Sequence, residues 1–276
     1  MKTAIVTDST AYIPQQQAQD KDIHVVPLQI TFGAESYAET ALDTVEFYEK
    51  AREELPKTSQ PPIGEFVSLY EKLSEQYDEV VAIHLSSGIS GTMAGSKQAG
   101  EMVDDMDVHV FDSEIACAVQ GFYALKAAEL AKQGMKAKEI LAELEEMKKT
   151  LRAYFMVEDL RHLQRGGRLS GAQALVGSML QIKPILHFQD KLIVPYEKIR
   201  TRKKAMNRIV EELKKDCGKE PLQATVIHAN RLEEAEKWKA QLERDCPNVE
   251  FTISHFGPVI GTHLGEGAMG LGWAKK

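Results

Sequence analysis

Glu79-Val80-Val81-Ala82-Ile83-His84-Leu85-Ser86-Ser87-Gly88-Ile89-Ser90-Gly91-Thr92 is the stretch from which the rest of the chain can be read. Its first seven residues form a near-continuous apolar run, the pattern of a parallel strand buried on both faces. Residues 93–102 carry a helical pattern, so the Ser/Gly/Thr segment is a tight turn feeding a helix N-terminus. Such a turn gathers unpaired backbone N–H groups around one point, where the helix dipole favours an anion. Side-chain hydroxyls stand beside that point. The negative end of a ligand is expected here.

Outward from that turn the same alternation repeats. Upstream, Thr3-Ala4-Ile5-Val6-Thr7 is a short strand ending in Asp8-Ser9-Thr10. Polar groups just past a strand lie at the carboxyl edge of a sheet, where open α/β folds bind ligands; a locally capped turn is the alternative. Residues 23–32 are strand-rich, with Pro27 marking an edge or a break. Thr44 is an N-cap candidate for a helix over 45–55. Thr58-Ser59-Gln60-Pro61-Pro62 reads as extended polar loop, because the residue before proline avoids the helical region. Downstream, 107–111 is a strand finished by Asp112-Ser113, and 115–132 and 137–151 are helical, parted by Gly134. This alternation predicts a mainly parallel sheet with flanking helices, residues 1–152.

Past residue 152 the texture changes. Residues 154–157 read as a strand, 172–180 as a buried helix, and 182–187 with 191–194 as a hairpin turning at Phe188-Gln189-Asp190. Thr201 caps a basic helix to 215, and 224–228, 232–244 and 249–254 restore a β-α-β pattern. Residues 153–276 are thus a second α/β domain with a mixed sheet and helices. In the glycine-rich tail, Thr262-His263 opens a short helix.

The totals fit a globular protein of two modest domains or one large one: 276 residues, 43% apolar and 27% charged. A net charge of −7 argues against general nucleic-acid binding. Cys117, Cys217 and Cys246 are odd in number and far apart, with no CxxC, which suggests neither a zinc site nor a disulfide framework. The apolar run between Lys2 and Asp8 is too short for a signal peptide, and no run approaches the ~18 apolar residues of a spanning helix. A cytoplasmic location with reduced thiols is expected.

Several motifs are weaker than they look. Gly88-Ile89-Ser90-Gly91-Thr92 fails the Gly-x-Ser-x-Gly nucleophile elbow at its fifth position, so ligand-holding hydroxyls are the better reading than a nucleophilic Ser90. Gly265-Glu266-Gly267-Ala268-Met269-Gly270 matches GxGxxG by letter but has no βαβ unit after it. The eight histidines show no metal-ligand spacing, so no metal is expected. His263 lies among tail glycines where backbone can approach a ligand closely. Lys198-Ile199-Arg200-Thr201-Arg202-Lys203-Lys204 places basic residues at a helix start, against the dipole, which hints at an anion or a partner. Arg165-Gly166-Gly167-Arg168 is a basic turn suited to phosphate or to an acidic surface.

Six segments in order, Val6–Thr10, Thr58–Pro61, Ser86–Thr92, Gly166–Ser170, Arg200–Lys204 and Gly261–Gly265, together resemble the DegV family over the entire chain. The resemblance implies two α/β domains with a long-chain fatty acid between them, and a role as the fatty-acid-binding subunit of bacterial fatty acid kinase. A separate kinase would use ATP to convert the acid to an acyl phosphate for phospholipid synthesis. By resemblance Thr58 and Ser90 hold the carboxylate, with Ser59 and Thr92 beside them and His263 in the same polar network. Arg200, Arg165 and Arg168 would face the kinase or the phosphate. The acyl chain would run past apolar residues such as 172–180. No cofactor or transmembrane segment is implied, and transient contact with a membrane surface is compatible with this role. Other classes are a serine-based acyl hydrolase or transferase using Ser90 with His263, and a lipid-sensing regulator. Two residues depart from the family pattern. Tyr12 stands where Asp is common, and Glu266 where Pro or a small residue is common. A carboxylate at 266 would repel an acyl head group unless it points elsewhere.

Overall fold

A computed structural model describes residues 2–170, 182–218 and 220–276. The apolar segment 172–180, expected as a buried helix along the acyl chain, lies outside the described residues. The strands are β1 (Thr3–Asp8), β2 (Ile23–Val26), β3 (Gln29–Phe32), β4 (Glu35–Ala38), β5 (Lys57–Ser59), β6 (Glu79–His84), β7 (Asp107–Asp112), β8 (Arg152–Met156), β9 (Ile185–Gln189), β10 (Leu192–Glu197), β11 (Leu222–His228), β12 (Val249–His255) and β13 (Met269–Lys275). The helices are α1 (Gln15–Asp20), α2 (Thr44–Glu53), α3 (Ile63–Ser74), α4 (Thr92–Gly100), α5 (Ala118–Lys132), α6 (Ala137–Thr150), α7 (Arg161–Arg165), α8 (Arg202–Asp216), α9 (Leu232–Asp245) and α10 (Pro258–Leu264).

The chain divides into two compact units, Met1–Leu42 with Pro56–Lys149, and Asp43–Leu55 with Thr150–Lys276. Where the sequence suggests one boundary near 152, this division also groups α2 with the later unit. None of the described helices is long and apolar enough to cross a membrane.

The first unit is built on a four-stranded parallel sheet in the order β2-β1-β6-β7. β1 and β6 are buried along their whole length, which is why they read as uninterrupted apolar runs. Val6, Val80 and Ala82 on one face pack with Phe66 and Tyr70 of α3 and Ala99 of α4. Because the chain leaves β1 toward β2 on one side and returns to β6 on the other, the order reverses between β1 and β6. Ligand crevices in open α/β sheets form at the carboxyl ends of strands at such a reversal. The predicted strand over 23–32 is two strands parted at Pro27, which has no N–H to donate. β3 then pairs with β4 and β5 in a small antiparallel sheet, with Thr58 opposite Ile30.

The second unit holds a six-stranded mixed sheet, β10-β9-β8-β13-β11-β12. Only β11 and β12 pair in parallel; the other neighbours are antiparallel. Met156, Val226, Leu271 and Trp273 from the sheet pack with Ile209 and Leu213 of α8 and Trp238 and Leu242 of α9.

Three local readings are corrected. The N-cap of α2 is Asp43 rather than Thr44: its carboxylate accepts from Val45 N and Glu46 N at 2.8 and 3.1 Å, and its charge suits the positive end of the helix. The β9–β10 hairpin turns at Asp190-Lys191, whose φ values of 50° and 70° match a two-residue turn with both central residues left-handed. Helix α10 opens at Pro258, five residues before His263, with proline at its first position where a missing N–H costs nothing.

Candidate functional site

Asp8, at the carboxyl end of β1, organises the sheet edge at the strand-order reversal. It is fully buried, and its two oxygens share five donors. Oδ1 accepts from Thr10 N and Thr10 Oγ1 at 3.1 and 2.6 Å. Oδ2 lies 3.1 Å from His84 Nδ1, 2.9 Å from Leu85 N and 3.1 Å from Gln120 Nε2. Burial pushes its pKa up, but the His84 ring, Thr10 and the Leu85 N–H outweigh that, and the carboxyl ends below its usual value. The other ring nitrogen of His84, Nε2, is buried without a hydrogen-bond partner among the described residues. The Asp-Ser-Thr segment is therefore a capped turn that also fixes β6 just before the Ser/Gly/Thr turn begins.

That turn is held from several sides. Ser86 N donates to Ile115 O at 2.7 Å, and Ile89 N and Ser90 N donate to Ser86 O at 3.1 and 3.2 Å. Ser87 reaches Asp112 at the end of β7, N to Oδ1 at 3.1 Å and Oγ to Oδ2 at 2.5 Å. Ser90 Oγ lies 2.9 Å from Thr92 Oγ1 and accepts from Thr92 N at 3.3 Å, at the start of α4. Ser90 is half-buried and Thr92 buried.

The end of β5, which carries Thr58 and Ser59 where the sequence suggests a loop, leads into a residue that touches this turn. That residue is Gln60, whose amide lies on Gly91 so closely that a Cβ built at 91 would stand 2.0 Å from Gln60 Oε1. The next turn of α4 meets the same side chain, with Gly95 Cβ 3.4 Å from Gln60 Nε2. Thr58 is half-buried in β5 and Ser59 exposed. Gln60 thus packs on the start of α4, 31 residues further along the sequence. Nothing in the sequence singled out Gln60; two glycines at 91 and 95, one helical turn apart, are the signal that a side chain crosses there.

Tyr12 sits in the left-handed region at φ 46° and donates its hydroxyl to Glu39 Oε1 at 2.9 Å. Ser9 Oγ donates to the other oxygen of this buried carboxylate. The departure at position 12 thus has a local use.

In the second unit, His263 lies in the last turn of α10 against the Gly166-Gly167 turn. A Cβ on Gly166 would fall 2.2 Å from His263 Nδ1, so only glycine fits beneath the ring. Burial, and secondarily the Arg168 guanidinium, push the His263 pKa down to about 4, so the ring is neutral at pH 7. Arg168 Nη1 donates to Gly166 O at 2.5 Å. Arg165 is exposed, 3.0 Å from His162 Nδ1, on a cleft of about 590 Å³ lined also by Tyr48, Arg52, Arg161 and Glu266. Arg200 is exposed just before α8, whereas Arg202 is anchored by Glu234 at 2.8 and 2.7 Å and by Gly267 O at 2.7 Å. The structure therefore joins Arg168 with His263, and leaves Arg200 and Arg165 presented to solvent.

Glu266 is not a bare carboxylate. Arg52 donates to it from Nε and Nη2 at 2.9 and 2.8 Å, and Asn230 and Arg231 add bonds of 3.1 and 3.2 Å. Arg52, before the others, holds its pKa below the usual range.

Fold and site define a two-unit α/β protein that gathers hydroxyls at the carboxyl edge of a parallel sheet. The family model described as "Uncharacterised protein, DegV family" matches residues 2–276, and the chain belongs to the DegV family. It is 60% identical over 281 residues to Protein DegV of Bacillus subtilis, covering 100% of both chains, and 53% identical over 280 residues to a DegV domain-containing protein of Listeria innocua, covering 100% of this chain and 99% of that one. The crystal structure of Bacillus subtilis DegV, described as a fatty acid binding protein, superposes with a TM-score of 0.96 at 60% identity over 100% of both chains. A DegV family protein from Thermus thermophilus, reported for its fatty acid binding, superposes with a TM-score of 0.93 at 28% identity, again over 100% of both chains. The α/β architecture expected from sequence, a parallel sheet and a mixed sheet with helices, is the architecture of these structures.

Proposed function

We propose that this chain binds a long-chain fatty acid and presents its carboxylate to a separate ATP-dependent fatty acid kinase, which forms the acyl phosphate used in phospholipid synthesis. The observation that supports the reading is Gln60 lying on Gly91, a contact between the segment that carries Thr58-Ser59 and the turn that carries Ser90 and Thr92. Fatty acid binding by the Bacillus subtilis and Thermus thermophilus relatives supports the choice of ligand.

A dozen or more methylenes buried at ~0.8 kcal/mol each give roughly 10 kcal/mol gross. A charge-assisted hydrogen bond at the head contributes ~1.5–3 kcal/mol. The tail sets affinity and the hydroxyls set orientation. Thr58 and Ser90 bind the carboxylate, Ser59 and Thr92 flank it, and His263 is assigned to the same head group on the family resemblance. A neutral His263 at pH 7 can donate without competing for the substrate's charge. No general base is needed, because a carboxylate is already a nucleophile at neutral pH and the kinase brings metal and ATP. The chain is a carrier that catalyses nothing alone. Exposed Arg165 and Arg200, with Arg168, are the residues proposed to meet the kinase or its phosphate.

Mass spectrometry of an organic extract of the gently purified protein tests the ligand. A stoichiometric C14–C20 acid is expected, and a clean blank overturns the reading. The kinase role is tested by acyl phosphate formation from the loaded protein. Product is expected only with a cognate kinase and ATP, and turnover without a partner would make the chain an enzyme instead.

A further inference from the structure

Two cysteines that the sequence keeps 29 positions apart meet in the second unit. Cys217 caps the C-terminus of α8 and Cys246 that of α9, each donating its backbone N–H back into its own helix, to Leu213 O at 3.1 Å and Leu242 O at 2.8 Å. Their sulfurs lie 2.7 Å apart, with the Cys217 S–H donating to Cys246 Sγ. Both residues are free thiols here; Cys246 is buried and Cys217 half-buried. Lys214 Nζ bonds Asp245 Oδ2 at 2.9 Å, bracing the same two helix ends. The third thiol, Cys117, is buried in the first unit.

We propose that Cys217 and Cys246 are a two-electron redox site that closes to an intramolecular disulfide when the protein meets hydrogen peroxide. Cys217, the more accessible sulfur, attacks a peroxide oxygen; the O–O bond breaks, hydroxide leaves and takes up the thiol proton as water, and Cys217 becomes a sulfenic acid. Cys246 sulfur then attacks Cys217 sulfur; the S–S bond forms, the S–O bond breaks, and the departing hydroxide takes the Cys246 proton as a second water. Two thiols are oxidised and one peroxide is reduced to two waters. Burial first, and the Cys246 sulfur second, push the Cys217 pKa up to about 12, so little of it is thiolate at neutral pH and closure is slow. Slow closure suits a pair that stays reduced in an ordinary cytoplasm and responds to sustained oxidation. The bridge would tie the ends of α8 and α9 together and close a loop of about 30 residues, a constraint that raises thermal stability.

The test uses the full-length protein, reduced and then treated with hydrogen peroxide, with thiols counted under denaturing conditions. The three thiols should fall to one, peptides containing Cys217 and Cys246 should be linked with loss of two hydrogens, and Tm should rise by about 5–10 °C, reversed by dithiothreitol. Cys217→Ser should keep two thiols, Cys246→Ser should stop at a sulfenic acid on Cys217, and neither should show such a rise. Three thiols remaining, a bridge to Cys117, a link between two chains, or a sulfinic acid at Cys217 with Cys246 still free would each overturn the proposal. Because the wild-type protein carries the decisive readout, a variant that fails to fold does not blunt the test. Lipid content plays no part in it, so its failure and that of the proposed function are separable.

Discussion

Gln60 lies across Gly91, with the amide oxygen where a side-chain carbon at 91 would have to go. This contact joins two hydroxyl-bearing segments, so it can be cut without touching either set of hydroxyls. Gly91 has φ −80°, which any residue adopts, and Gln60 is exposed and free to swing away. Gly91→Ala should therefore keep the fold, costing under about 1.5 kcal/mol from the changed cap and the displaced amide. Fatty acid affinity should fall several-fold. In a double-mutant cycle with Gln60→Ala, the second change should add little, since both remove one contact. Additive losses would show that the two residues act separately.

Asp8 is the group whose removal should hurt the first unit most. Asp8→Asn takes away the charge facing His84 and places an NH₂ among donors. The expected cost is about 3 kcal/mol, read by urea denaturation. The folded pKa of Asp8 is depressed, so its contribution is present above the unfolded value near 3.9 and is lost as pH falls through the folded value. The wild type should lose stability below about pH 4, and Asp8→Asn should show a weaker acid limb in that window. An unchanged acid limb would remove Asp8 from this role.

Imidazoles act in a different window. Burial first, with Arg168 for His263 and His255 for His228, pushes both pKa values down to about 4. In the unfolded chain an imidazole takes its proton near pH 6.5. Between those values the unfolded state binds protons that the folded state refuses, so stability is full above pH 6.5 and falls as pH drops toward 4. Urea midpoints at pH 7.5 and 4.5 should differ less in His228→Gln and in His263→Gln than in the wild type. Equal differences would mean that the rings titrate normally.

How much of this could be read beforehand depended on where the determining contacts lie. β6 and its turn were legible because burial on both faces and a local glycine turn are written in adjacent residues. β13 was not, since Gly270 and Gly272 lower its strand propensity and its place is fixed by β8 and β11 on either side. A Cβ at Gly270 would stand 3.0 Å from Phe256 Cζ, so tight packing favours the residue that hides the strand. Asp8 announced a capped turn, but its bond to His84 joins residues 76 apart. The meeting of Cys217 with Cys246 was hidden for the same reason: each ends its own helix, and the packing of α8 and α9 in one core brings those ends together. Glu266 looked like a misplaced carboxylate because its partners, Arg52 and Arg231, come from distant segments.

That last pairing yields a prediction about specificity of effect. Glu266 is already paired with Arg52 and Arg231 and hydrogen-bonded by Asn230, so its charge reaches little beyond them. Arg52 is exposed, and exposed ion pairs contribute little to stability. Glu266→Gln keeps the size and one acceptor, and should lower Tm by no more than about 3 °C. Fatty acid affinity should stay within about two-fold of wild type, whereas Ser90→Ala, which removes a proposed ligand of the head group, should weaken it about tenfold, the loss expected for one charge-assisted bond. Binding measured by displacement of a fluorescent fatty acid separates the two. A large loss with Glu266→Gln and none with Ser90→Ala would move the head group away from the Ser90 turn and toward the tail of the second unit.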